Sequence, residues 1–115
     1  MIVLKGDTPK FEISINFEGV DLPANDAKIE NVLVTVFSKF DASVILGRYA
    51  LKALEGHTLL TIKDNKAYLI CDTKAAAVDQ EYLIQIQTNI NDAAYPNGKS
   101  IQTGTADLFK VKERI

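Results

Sequence analysis

From Lys10 to Phe17 apolar and polar residues alternate without exception: Phe11, Ile13, Ile15 and Phe17 are separated by Glu12, Ser14 and Asn16. In a β-strand successive side chains point to opposite faces, so this spacing puts four apolar residues on one side and every polar neighbour on the other. A helix would spread the same four residues over opposite sides of its cylinder. The chain is thereby committed to a sheet with one dry face, and a dry face requires a second layer to cover it. The pattern recurs at residues 81–90, where Tyr82, Ile84, Ile86, Thr88 and Ile90 share one face and Gln85 and Gln87 the other.

Between these two segments the turn signals fall at short, regular intervals. Gly19 and the stretch around Pro23 end the first strand, because proline cannot donate to a ladder. Residues 29–37 contain Val32, Leu33, Val34, Thr35 and Val36, a β-branched concentration with apolar residues of both parities, which predicts a strand buried on both faces at its middle. Residues 44–52 are mixed, and residues 50–54 read either as the end of a strand or as the start of a short helix. The runs 57–62 and 67–71 flank Lys63, Asp64, Asn65 and Lys66 and predict a β-hairpin. Asp72, ahead of three alanines, predicts one helical turn over 73–78. Tyr95-Pro96-Asn97-Gly98 is a turn, and residues 101–103 and 106–111 supply the closing strands, with Leu108, Phe109 and Val111 as the last apolar set.

About seven or eight short strands with at most one helical turn predict an all-β, immunoglobulin-like antiparallel β-sandwich, with a small barrel as the other architecture of this pattern. The chain of 115 residues reads as a single domain over 1–115, since two cores of half that length would each be marginal. An antibody-type domain would carry two cysteines with a tryptophan between them, whereas this chain has one cysteine and no Trp. Phe11, Ile13, Ile15, Phe17, Val34, Val36, Leu69, Tyr82, Ile84 and Ile86 are the predicted core.

The residues that could carry chemistry stand apart from one another. His57 is the sole histidine and has no second His or Cys at ligand spacing, so it reads as an edge or turn residue. The aspartates sit singly at turns and strand ends, where structure alone explains them. Residues 89–92 offer oxygen ligands but lack the alternating carboxylates and closing Glu of a helix-loop-helix calcium site. The glycines form no phosphate-cradling cluster. Cys71 lies in an apolar run and reads as a buried small hydrophobe, with a reactive thiol as the alternative. The expectation is a non-catalytic domain without cofactor or metal. The best contact residues are Asn91, Asp92, Tyr95 and Asn97, in a loop over residues 89–99 where tyrosine could stack on a sugar ring; alternatively Tyr95 packs down to pin its own loop. Thirteen basic against fifteen acidic residues, with no basic cluster, argue against nucleic acid and against a polybasic membrane anchor. The N-terminal segment lacks the pattern of a signal peptide, and no apolar run reaches spanning length, which predicts synthesis in the cytoplasm without membrane insertion.

Leu4-Lys5-Gly6-Asp7-Thr8 leading into the alternating strand, then Gly19-Val20-Asp21-Leu22, resembles the N-terminal immunoglobulin-like domain of phage baseplate upper proteins. The order of later motifs agrees: Asp72-Thr73 after a strand at 69–71, a linking turn at 75–78, a Tyr82-led strand, Gly98-Lys99, Thr103-Gly104 and a last strand at 108–111. Gln80 and Glu81 stand where that family has a glycine, and residues 38–56 have no counterpart. The resemblance implies a virion-associated structural part of a phage or prophage tail or baseplate, docked on other phage structural subunits or repeated as a homo-oligomer, and it brings no catalytic residues. It further implies that sheet edges at residues 1–4 or 108–112 accept a partner strand, with Ile2, Leu4 or Ile115 as contact surface. A carbohydrate- or ligand-binding sandwich using the 89–99 loop is the alternative.

Overall fold

A computed structural model describes residues 1–114 of the chain; Ile115 lies outside the described residues. It is all-β, with no α-helix among them, and therefore no helix long and apolar enough to cross a membrane. The strands are β1 (Ile2–Leu4), β2 (Lys10–Ile13), β3 (Asn16–Phe17), β4 (Val20–Asp21), β5 (Ile29–Ser38), β6 (Ile45–Ala50), β7 (Thr58–Leu59), β8 (Thr61–Lys63), β9 (Lys66–Ile70), β10 (Glu81–Asn91) and β11 (Lys99–Lys112). Six of them form a large sheet in the order β1-β11-β10-β5-β6-β7, three a small sheet β2-β9-β8, and β3 and β4 a two-stranded ribbon. The large sheet is mixed and not purely antiparallel, because β1 runs parallel to β11 and β7 parallel to β6.

Both sheets send side chains into one core. Ile13, Ala67 and Leu69 of the small sheet and Val32, Val34, Val36, Tyr82, Ile84, Phe109 and Val111 of the large one belong to a single buried cluster, joined by Ile15, Phe17, Tyr49, Leu60 and Cys71. Each fully buried Val, Ile or Leu contributes about 1.5–3 kcal/mol relative to exposure. Of the residues expected in the core, Phe11 and Ile86 lie at its margin, half-buried, and the others are inside.

Several elements depart from the sequence reading, each for a local reason. The alternating run at 10–17 keeps its inward face but breaks into β2 and β3. Its partner β9 ends at the turn beside Ile13, after which Ile15 accepts the Leu22 amide at 2.7 Å and the chain pairs with β4. On β5 only one face is fully buried, by Val32, Val34 and Val36; Leu33, Thr35 and Phe37 are half-buried because no layer covers the other side completely. Residues 57–62 are not one strand: β7 belongs to the large sheet and β8 to the small one. The crossing is at buried Leu60, whose amide donates to Ala50 O at 2.9 Å. The hairpin β8–β9 turns at Asp64 and Asn65, both with positive φ (52° and 61°), as a two-residue turn matched to strand twist requires.

Residues 73–78 form no helical turn. Asp72 accepts the Lys74 amide at 2.9 Å, and Ala76 and Gln80 close separate tight turns onto Thr73 and Ala77. Thr73 is held from outside the segment, which prevents a helix from propagating: its hydroxyl donates to Asp7 O at 2.6 Å and accepts the Gly6 amide at 3.0 Å. Residues 50–54 likewise leave the strand without helix. The two closing strands are one, β11, kinked by a bulge opposite Tyr82 and Leu83, and its core residues are Phe109 and Val111, with Leu108 half-buried.

Candidate interaction surface

The loop between β10 and β11 is folded on itself. Asp92 N donates to Gly98 O at 2.8 Å, Gly98 N to Tyr95 O at 2.9 Å, and the Asp92 carboxylate accepts the Ala94 amide at 2.9 Å. Asn91 is exposed at the end of β10, its amide donating to Lys28 O at 2.7 Å, and Asn97 is exposed at the loop tip. Tyr95 turns away from that tip. Its ring meets Phe17 edge-on at 5.9 Å, and its hydroxyl donates to the Glu18 carboxylate in the β3–β4 turn. That hydrogen bond, which the neutral phenol makes and the phenolate does not, pushes the Tyr95 pKa up. Tyr95 therefore pins the loop to the ribbon.

The other singled-out groups are engaged locally. His57 is half-buried just ahead of β7, its Nδ1 3.0 Å from Glu55 O. Cys71 is fully buried, and burial pushes its thiol pKa up; burial is likewise the first cause that pushes the Tyr49 phenol up. Asn89 accepts from the Gln87 amide at 3.0 Å. Among the described residues no three His, Cys, Asp or Glu side chains gather where a metal ion could be held.

A further stretch of unpaired strand backbone lies elsewhere. Of the edges expected at 1–4 and 108–112, β1 is the outer strand of the large sheet, as expected, and it covers the other by pairing with Lys110, Val111 and Lys112. Beyond that contact β11 continues for residues 99–109 with β10 on one side and, among the described residues, no strand on the other. Within it Ser100, Ile101, Gln102, Thr103, Gly104, Thr105 and Ala106 include no charge and no proline, the two devices that most often blunt a sheet edge. Ile101 is 65% exposed. On the inward face, Gln102, Gly104 and Ala106 stand opposite Thr88, Ile86 and Ile84, and across a gap face Ser14 and Asn16, where β2 gives way to β3. The gap is a cleft of about 380 Å³, open along this edge and floored by the two isoleucines.

By sequence this stretch reads as the end of a turn and two short strands. The signal that could have found it is the run of uncharged small and polar residues itself, long enough for a strand and too poor in large apolar residues for a core. No protein-family model, no curated protein and no solved structure matches the chain.

Proposed function

We propose that the two sheets constitute an immunoglobulin-like β-sandwich and that the domain is a non-catalytic assembly module, of the phage tail or baseplate kind, docking on neighbouring subunits. The observation that carries this reading is the free, uncharged edge of β11 above an open apolar cleft. Backbone donors and acceptors along such an edge supply affinity for an added strand, and a cleft beneath gives its side chains somewhere to go. The motifs that resemble the baseplate family add support because widely separated ones meet: Gly6 and Asp7 are tied to Thr73 by the hydroxyl bridge described above. The ligand-binding alternative is weakened by the engagement of Tyr95 with Phe17 and Glu18.

The test is recovery of the protein in particles. Gradient-purified particles from an induced strain carrying the gene should contain its peptides at a fixed stoichiometry to known tail components. Recovery only from the soluble cell fraction would overturn the assignment.

A further inference from the structure

We infer that the occupant of the β11 edge is the same edge of a second copy, paired antiparallel about a two-fold axis at Thr103. The inference rests on the assembly reading and adds the partner and the register. Its basis is the charge pattern at the ends of the free run. Lys99 and Asp107 lie four residues to either side of Thr103 on the same face of β11, and the seven residues midway between them, 100–106, are uncharged.

An antiparallel pair centred on Thr103 sets Lys99 of each copy opposite Asp107 of the other, so the isologous contact has two charge-complementary ends. Ser100 then faces Ala106, Ile101 faces Thr105, Gln102 faces Gly104, and Thr103 faces itself. The exposed Ile101 gains the Thr105 methyl as a cross-strand neighbour, and the small Gly104 and Ala106 let the partner strand lie close over the cleft. A parallel arrangement would set Lys99 beside Lys99 and Asp107 beside Asp107. Within the chain Lys99 already contacts Glu30 at 3.3 Å and Asp107 contacts Lys39 at 3.8 Å. Both are solvent-exposed pairs, of the kind that hold a side chain weakly and leave it able to reach across a strand boundary.

The experiment is a reciprocal charge exchange read by sedimentation equilibrium over a wide concentration series. Wild type should dimerise. Lys99→Asp gives two acidic ends and Asp107→Lys two basic ends, so each variant alone faces like charge at both ends and its dimerisation weakens by roughly tenfold or more. An equimolar mixture of the two restores opposite charge at both ends and should form the heterodimer. The double variant, Lys99→Asp with Asp107→Lys, should dimerise like wild type. Both positions are exposed, and thermal melts establish that each variant is folded. A wild-type dimer that persists unchanged in both single variants overturns this edge and register while leaving the assembly reading intact. A wild type that stays monomeric to its solubility limit overturns the second-copy partner, and the particle experiment then decides the assembly reading independently.

Discussion

Replacing Thr73 with valine keeps the shape of a fully buried side chain and removes the one hydroxyl that ties the loop after β1 to the exit of β9. Two hydrogen bonds are lost, the donation to Asp7 O at 2.6 Å and the acceptance of the Gly6 amide at 3.0 Å. Each is worth about 0.5–1.5 kcal/mol net. Gly6 is exposed, so its amide can turn to water, and Asp7 O keeps the Thr73 amide at 3.3 Å; the full penalty for an orphaned buried group therefore does not apply. The expected loss is roughly 1–3 kcal/mol. With a urea slope of about 1–3 kcal/mol/M for a domain of this size, the unfolding midpoint should fall by about 1 M. Thr73→Ser keeps both hydrogen bonds and sacrifices one methyl group, about 0.8 kcal/mol. The order wild type, serine, valine is the critical outcome. A valine variant within about 0.5 kcal/mol of wild type, or one more stable than serine, would refute the view that this hydroxyl joins the two segments.

Three further outcomes follow from the geometry. A Cβ at Gly47 would sit 2.8 Å from the Tyr49 hydroxyl oxygen and 2.9 Å from its ring, which is buried and cannot swing away freely; Gly47→Ala should destabilise by about 1–3 kcal/mol in urea titration, and an unchanged midpoint would contradict the close approach. Cys71, buried and with its pKa raised, should react with a thiol reagent only in step with global unfolding, so labelling of the native protein faster than unfolding would show a more open core. Asp79 is held below the ordinary 3.8 by its hydrogen bond from Lys112 at 2.9 Å and by that cation's charge. A depressed carboxylate contributes stability that is present above its unfolded pKa and lost as pH falls through the folded one, so the pair acts down to acid pH. By carbon-detected NMR titration, Lys112→Met should return Asp79 toward 3.8, and no movement would remove the pair as the cause.

The parts of the fold legible in the sequence are those where one face decides everything. Ile13, Ile15 and Phe17, and Tyr82, Ile84, Thr88 and Ile90, point inward as their period requires, because reversing either strand would expose its whole apolar set. The Asp64-Asn65 turn was legible for an equally local reason, since both residues tolerate positive φ. What the sequence hid depends on partners distant in the chain. The break after Ile13 occurs because β9 runs out, and nothing in residues 10–17 records the length of β9. Thr73 stays out of a helix because of Gly6 and Asp7, more than sixty residues away. Bulges hide parity as well. Ile29 and Val32 both face inward although one is odd and the other even, because the β5–β10 register shifts between them. The expected edges were found only in part for the same reason: β1 is the outer strand of the large sheet, but it covers only Lys110 to Lys112, so that residues 99–107 are also open is a matter of topology and not of local pattern.

The two halves of β11 show why that edge is left open. Past the bulge at Leu108, Phe109 and Val111 are buried, and β1 closes the outer side. Before it, the strand keeps full register with β10 from Lys99 to Asp107 yet buries no large side chain. The small sheet explains the contrast: it has three short strands against the six of the large sheet, and β2 ends at Ile13, leaving Ser14 and Asn16 across the cleft from Ile84 and Ile86. A strand needed only to complete the core could have begun at its buried half. The additional residues are held by β10 on one side alone, with Gly104 and Ala106 where a covering layer would demand large side chains. Seven consecutive uncharged residues there leave the edge without the charges or proline that blunt pairing, which is the feature the proposed pairing of two copies rests on.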